Sequence, residues 1–326
     1  METLQSPLTQ EDDATRSGAQ SPDAGSDAIV KLDQRLAAAV TLVPLLGTLA
    51  ALALWIAGYG PGWVEITAFA MLYFATALGL EVGFHRHVTH KAFKAKPWVS
   101  AALIAMGSMG VHGPVIWWAS THRRHHSKSD VAGDPHSPHL SGSGLRARLK
   151  GLYHSHMGWL FEGGSTRPSG WQQYVPDLYR DPIIYTQHMR YYRWVLIGLV
   201  LPTVLCGAAS GSWMGALLGF LWGGLVRIFA VSHCIWALNS LCHVIGKRDF
   251  KTTANDQSRN SLLLAIPTFG QGWHNNHHAF PASAFTGLRW WQIDPGGLFV
   301  RLLQLLRLVS DVNRPTPEAI ARKRAA

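Results

Sequence analysis

The sequence predicts an all-α integral membrane protein: four transmembrane helices paired as two hairpins, with a helical cap rich in histidine on one side of them. Three observations predict it. Apolar runs with at most one charge, close to the ~20 residues a helix needs to cross a bilayer, occur four times. The clusters of Lys and Arg fall between or outside the two hairpins. The 17 histidines all lie between His85 and His278, which concentrates one kind of chemistry in the polar blocks.

In chain order, residues 1–34 are rich in Ser, Asp, Gln and Ala without apolar periodicity and are expected to be a disordered segment. No apolar run precedes Leu36, so no cleavable signal is expected. From residue 35 to 326 the chain is expected to be one membrane domain. Its first span, 36–57, carries no charge, and the second, 63–82, opens with a run from Trp63 to Leu80 whose only charge is Glu65. A polar block, 83–193, leads to the third span, 194–210, and the fourth, 213–238, which holds only Arg227 and His233 as basic groups. A second polar block, 239–326, completes the domain. Apolar runs of this kind are what a bilayer imposes and a soluble core does not, because a spanning backbone must satisfy its own hydrogen bonds in lipid.

The tips Gly58–Gly62 and Gly207–Ser212 contain no Lys or Arg, whereas Lys31, Arg35, Lys91, Lys94, Lys96, Arg123, Arg124, Arg146, Arg148, Lys150, Lys247, Arg248, Lys251 and Arg301 lie on the opposite side. The positive-inside rule then puts both termini, both polar blocks and the histidines on the cytoplasmic face, of the inner membrane in a bacterium. The net charge of +10 does not point to nucleic acid, because the basic residues flank apolar spans and form no separate basic domain. Cys206, Cys234 and Cys242 have no C-x-x-C spacing and read as small apolar residues in a reducing compartment.

Two runs, His122-Arg123-Arg124-His125-His126 and His274-Asn275-Asn276-His277-His278, repeat histidine at i, i+3 and i+4. On a helix these offsets share a face, so each run is expected to aim three imidazoles at a single point. His85 and His90 are five residues apart. At about 100° per residue they diverge by about 140°, which suits one metal each. With His243 the set holds nine imidazoles, too many for one ion, since an octahedral site takes six, so two metals follow. A closed structural zinc site takes four ligands, usually including Cys, and no Cys lies in these runs. Imidazole suits Zn, Cu, Fe and Ni alike. Two redox metals beside a membrane imply oxygen chemistry, with copper still open on affinity grounds, because it tops the stability order.

Six motifs then carry a resemblance. They are His85-Arg86-His87-Val88-Thr89-His90, Trp118-Ala119-Ser120-Thr121-His122-Arg123-Arg124-His125-His126, Asp134-Pro135-His136, Ser155-His156-Met157-Gly158-Trp159-Leu160, Trp236-Ala237-Leu238-Asn239-Ser240-Leu241-Cys242-His243 and Gly272-Trp273-His274-Asn275-Asn276-His277-His278. In their order, from about residue 36 to the end, the chain resembles the membrane fatty acyl desaturases of the stearoyl-CoA (delta-9) desaturase family, especially its bacterial branch. The resemblance implies a di-iron centre held by His85, His90, His122, His125, His126, His243, His274, His277 and His278, with Asn239 reaching one metal through a water. Asn239 is expected to share a helical face with His243, four residues on.

The activity implied is O2-dependent removal of two hydrogens from adjacent methylenes, giving a cis double bond, of delta-9 position, in a saturated acyl chain carried as acyl-CoA. An unactivated methylene has no acidic proton, so the protein contributes position and dryness and a metal cofactor the oxidising power. The 48 residues after His278 hold no haem motif, so an external donor of ferredoxin, rubredoxin or cytochrome b5 type is implied. The alternative within the same chemistry is a membrane di-iron fatty acid or alkane hydroxylase. A metal-transport protein would need polar ligands within its spans, where only His233 lies.

Trp118, four residues before His122, and Trp236, seven before His243, share faces with those ligands and are expected to wall an acyl tunnel, and by the resemblance Tyr73 and Ala77 limit its length from the second span. Asp134 is expected to fix a ligand imidazole by accepting its hydrogen bond, with His136 and His156 in supporting or substrate-contacting places. His87 is expected in solvent or behind the ligands, His112, His139, His154 and His188 as bystanders, and His233 too far from His243 to share its metal. Two departures stand out. Gly270-Gln271-Gly272 replaces a family Gly-Glu-Gly, and Trp117 and Ser120 stand where animal enzymes carry an acidic and a basic residue near CoA. The latter leaves a carrier-protein thioester or a phospholipid open beside acyl-CoA.

Overall fold

The structure, a computed structural model, describes residues 24–163 and 171–325. The first helix, α1 (Ala24–Ile56), begins upstream of the expected boundary at residue 34. Its first turn carries Asp27, which favours the positive end of the helix dipole, and Gln34 donates to the Phe161 carbonyl at 3.3 Å. Contact with a partner segment thus orders residues whose composition alone reads as loop. Residues 1–23 of the expected disordered segment lie outside the described residues.

Helix α2 (Trp63–Leu78) starts after a tip in which Glu65 accepts the Gly62 N–H at 2.8 Å. The single charge in that apolar run therefore closes the helix N-terminus. α2 passes without a break into a π-helical stretch, Gly79–Thr89. The second hairpin pairs α7 (Tyr191–Ser210) with a helix made of α8 (Trp213–Leu218), a second π-helical stretch Gly219–Val226, and α9 (Arg227–Leu241). Gly211 turns the chain in the left-handed region at φ 61°, and Ser212 caps α8 by accepting the Gly215 N–H.

These four helices, Asp27–Ile56, Trp63–Thr89, Tyr191–Ser210 and Trp213–Leu241, are long and apolar enough to span a membrane. Leu42, Leu46 and Leu49 on α1 and Leu196, Val200 and Val204 on α7 face outward, exposed, a large apolar surface that lipid covers and water does not. The second span runs longer than the sequence suggests because its π stretch carries the helix on to Thr89, into the polar cap, and the fourth runs on as α-helix to Leu241.

The cap is built from short helices: α3 (Pro97–Ser108), α4 (Val115–Lys128), α5 (Leu145–His156), α6 (Pro182–Met189), α10 (Leu262–Ala265), α11 (His274–Ala279), α12 (Pro295–Leu305) and α13 (Pro317–Lys323). α3 crosses the first π stretch where Gly79 meets Gly107, backbone against backbone, so that a side chain on Gly79 would strike the other helix. One small antiparallel pair departs from the all-α expectation. β1 (Lys94–Ala95) pairs with β2 (Val309–Ser310), tying the end of the second span to the C-terminal segment. One core cluster, with Phe84, Ile116 and Leu238, packs under α4, and another, with Val82, Leu103 and Leu303, packs under α12.

Candidate metal centre

The nine histidines meet at the junction of spans and cap, in two adjoining clusters. Ring nitrogens of His85, His90, His122 and His277 form one group and those of His125, His243, His274 and His278 another, each within 4.8 Å of one another. His126 joins the first, its Nε2 lying 3.0 Å from that of His122 and 2.8 Å from that of His277. It also stacks on His278 of the second, ring centres 4.4 Å apart.

The sequence expectation of one point per run is therefore corrected. On α4, His122 and His126 turn to the first cluster and His125 to the second; on α11, His274 and His278 turn to the second and His277 to the first. With 3.6 residues per turn, i and i+4 lie about 40° apart while i+3 falls about 100° from i+4. A helix carrying this triplet can therefore straddle two centres. α4 and α11 do so in opposite senses, each giving a pair to one cluster and a single ring to the other.

The expected divergence of His85 and His90 is corrected too. They belong to one cluster, with rings 4.9 Å apart. The cause is the π stretch: the His90 N–H donates to the His85 carbonyl at 3.1 Å, an i to i+5 bond whose wider turn returns the fifth residue to the same side.

Carboxylates orient four of the nine rings. Nδ1 of His85 faces Glu81 at 2.8 Å, that of His125 faces both Asp134 oxygens at 3.0 Å, that of His243 faces Asp130 at 2.8 Å and that of His278 faces Asp256 at 2.8 Å. An ionised carboxylate only accepts, so each Nδ1 carries the proton and donates, which leaves Nε2 of the neutral ring as a lone pair. Those lone pairs face one another. Nε2 of His125 lies 3.4 Å from Nε2 of His278, and Nε2 of His85 lies 3.0 Å from Nε2 of His277. Two nitrogens, each about 2.1 Å from a shared metal and about 90° apart, stand about 3.0 Å from one another, so the spacing suits metal ions. His90 Nε2 is buried with no protein partner, as a ligand nitrogen would be.

Electrostatics act in the same sense. Burial, then repulsion from neighbouring imidazoles, pushes His90, His122, His274, His277 and His278 well below the ordinary imidazole range, and His126 likewise through burial and His125. They are thus neutral and ready to ligate. His125 goes the other way: burial lowers it, but Asp134 together with Asp130 and Asp256 outweighs burial and raises it. Burial raises Asp134, yet His125 and its hydrogen bond hold that carboxyl below the usual range.

Glu81, Asp130 and Asp256 were not among the residues singled out from the sequence. Glu81 was detectable, since a lone acid four residues before His85 in an apolar run is on the same face. Asp130 and Asp256 meet their histidines across long stretches of chain and leave no local signal. Glu81 is held in turn by Arg86 (Nε to Oε1, 2.7 Å), which also grips Asp294 at 2.7 Å and the Ala284 carbonyl.

Beside the clusters lies a cavity of about 360 Å³ bordered by His122, His274, Trp118, Trp236, Asn239 and Gln271 at its inner part. Trp118 stacks on His122, 5.1 Å between centres and 13° between planes. α1 contributes Leu36, Ala37 and Val40 to the wall and α7 contributes Tyr191 and Val195. α9 ends at Leu241, so Asn239 and His243 do not share a helical face as expected. Tyr73 and Ala77 do not border this cavity. The Tyr73 hydroxyl donates to the Pro267 carbonyl at 2.9 Å, and Ala77 is buried in the core under α12.

Of the other histidines, His136 is buried against His125, ring centres 4.5 Å apart, and borders the cavity. Its Nδ1 stands 3.8 Å from Asp134. His156 does not reach the clusters. Its ring contacts His233 at 3.0 Å and Ser240 at 3.1 Å on α9. His87 is not in solvent either, but packs on Phe93 with Nε2 2.9 Å from Ser100 Oγ. Three expected bystanders have places: His112 and His188 border the cavity, and His139 Nε2 donates to the His243 carbonyl at 2.9 Å. His154 pairs with Glu162 at 3.0 Å. Ser120 donates to the Trp171 carbonyl, and Trp117 stacks on Trp159.

The family model for fatty acid desaturase matches residues 61–296, which contain every histidine of both clusters. The chain belongs to the fatty acid desaturase family. Its similar relatives include a hex-5-enoyl-[acyl-carrier protein] acetylenase of Moorena producens, 44% identical over 87% of this chain and 88% of the relative. An sn-1 stearoyl-lipid 9-desaturase of Anabaena variabilis is 36% identical over 77% of this chain and 85% of the relative. A probable acyl-CoA desaturase of Schizosaccharomyces pombe is 33% identical over 75% of this chain and 48% of the relative. As a desaturase of this family the chain is an oxidoreductase of lipid metabolism, and its two histidine clusters have the donor set and spacing for metal.

Proposed function

We propose that this desaturase introduces a cis double bond, of delta-9 position, into a saturated acyl chain carried as a thioester, using two iron ions, O2 and an external electron donor of ferredoxin, rubredoxin or cytochrome b5 type. The observation that carries the proposal is the convergence of lone-pair nitrogens beside an apolar cavity walled by Trp118 and Trp236. Iron held by the nine imidazoles, with Asn239 as a water-mediated neighbour, would supply with O2 the oxidising power that an unactivated C–H bond demands. The protein's own part is positional. Glu81, Asp130, Asp134 and Asp256 fix ring orientation, and Trp118 and Trp236 hold the hydrocarbon and exclude water.

The relatives' names include a stearoyl-lipid 9-desaturase and an acyl-CoA desaturase, in keeping with delta-9 position and acyl-CoA. The distribution of Lys and Arg supports a cytoplasmic cap and cytoplasmic termini. The acetylenase relative favours a second reading, in which the chain acts on an acyl group that already holds a double bond.

The test is expression in a host lacking unsaturated fatty acids, then mass spectrometry of double-bond adducts and iron analysis of the purified protein. Cis-monoenes with about two irons per chain are expected; a hydroxy fatty acid would favour the hydroxylase, and an alkyne from a supplied monoene the second reading. Acyl-CoA, acyl-carrier protein and intact lipid, supplied in parallel to membranes, separate the carriers.

A further inference from the structure

Arg227 lies fully buried in the fourth span. Its guanidinium is spent on backbone carbonyls from three elements: Nε donates to Gly223 at 2.8 Å, Nη1 to Met109 at 2.8 Å and Nη2 to Gly198 at 3.2 Å. Among the described residues no carboxylate pairs with it. A cation placed at such cost in a low-dielectric span marks a function more often than a packing need.

What the guanidinium holds is a wall of the cavity. Met109 is the C-cap of α3, so Arg227 also sits at the negative end of that helix. Two residues on, Val111 has φ 63°, a left-handed conformation that a β-branched side chain resists. Gly113 follows at φ 88°, and its N–H donates to the Tyr191 hydroxyl at 3.2 Å. The turn Met109–Pro114 is thereby pinned by the third span at one end and by the fourth at the other. Val111, His112, Gly113 and Pro114 all border the cavity, and α4, with its three cluster histidines, starts directly after. Gly198 makes room for the clamp, since a Cβ there would stand 3.0 Å from Met109 Cβ and 3.3 Å from Arg227 Nη2.

We infer that Arg227 is a positioning residue for the acyl chain: by holding the strained turn Met109–Pro114 against the cavity, it fixes which methylene stops beside the histidine clusters. This rests on the reading that an acyl chain fills the cavity. One methylene is chemically like the next, so only a rigid wall can select among them, and a strained turn stays in place only while its surroundings over-determine it.

The experiment uses the full chain in membranes supplied with a stearoyl thioester, O2 and reduced electron donor, with Arg227→Gln, Arg227→Lys and Val111→Gly compared with the parent. Mass spectrometry locates the oxidised carbon, and iron per protein is measured on the same preparations. The expected result for Arg227→Gln is at least a tenfold rise in the share of product oxidised away from the parent position, with iron content unchanged. Val111→Gly, which relieves the strain and leaves the guanidinium in place, keeps the turn held and shifts the ratio less than Arg227→Gln does. Arg227→Lys falls between, because an ammonium lacks the planar fork that reaches three carbonyls. An unchanged positional ratio in either accumulating Arg227 variant overturns the inference, as does a Val111→Gly shift as large as that of Arg227→Gln, or loss of iron together with product. If the parent makes an alcohol in place of an olefin, the proposed function fails while the carbon position still reads the role of Arg227.

Discussion

The two histidine clusters share α4 and α11 and touch through His126 and His278, yet they are secured differently. The first has five imidazoles and one orienting carboxylate, Glu81. The second has four imidazoles, and three of them are oriented, by Asp130, Asp134 and Asp256. A carboxylate behind a ring raises its basicity and fixes its tautomer. The second cluster is therefore the more anionic and pre-set, and the first makes up in ligand number what it lacks in charge. Metal held in both clusters would therefore be bound with unequal affinity from one shared pair of helices.

The largest effect that tests this comparison is truncation of a ring. His125→Ala in the second cluster and His277→Ala in the first are each expected to abolish product, because an emptied neighbour leaves the pair incomplete. Retained product in either variant removes that residue from the ligand set.

Next in size are the carboxylates. Glu81→Gln takes away the first cluster's only orienting acid and is expected to weaken iron retention by about 10–100-fold, whereas Asp130→Asn or Asp256→Asn leaves two acids in the second and costs less. Iron per protein after graded exposure to a chelator measures this. Equal losses in the three variants would break the asymmetry.

Acidity gives a smaller, graded effect on the metal-free protein. The lowered imidazoles of His90, His122, His126, His274, His277 and His278 refuse protons that the unfolded chain accepts near pH 6.5. Their full contribution is present above that value and is lost as pH falls below it. His125, being raised, acts oppositely: its contribution is present below about pH 6.5 and lost as pH rises through its folded value. Six lowered rings outweigh one, so the thermal midpoint of metal-depleted protein is expected to drop from pH 7.5 to 5.5. A constant or rising midpoint would contradict the burial on which the neutral clusters depend.

The smallest expected effect is His139→Ala, which removes the donor to the His243 carbonyl and costs about 1 kcal/mol. It lowers the thermal midpoint slightly and leaves the first cluster's iron untouched.

Spans, hairpins and histidine set were legible in the sequence because each is periodic or compositional: apolar runs, charge-free tips, a triplet written twice. The division of each triplet was not, since the i, i+3, i+4 pattern fits one centre or two until the facing helix is known. The pairing of His85 with His90 was hidden by assuming α geometry where the backbone is π. Asp130 and Asp256 were invisible because only the folded chain brings them to their rings. The start of α1 was misread because its order comes from contacts such as Gln34 with Phe161, far away in the chain.

The π stretch Gly79–Thr89 carries one consequence for how this membrane helix tolerates change in length. Each residue in such a segment is in register with the fifth one on, so deleting any single position between His85 and His90 would let the backbone relax to ordinary α spacing. An H-x-x-x-H would then stand where H-x-x-x-x-H stood, with its two rings still only about 40° apart, so that the chain from Lys91 onward would keep its side of the helix. A one-residue deletion can thus be absorbed by the change of helix type in this stretch, whereas the same deletion in α2, which has no π turn to give up, would rotate all that follows by about 100° and turn the cap against its stem.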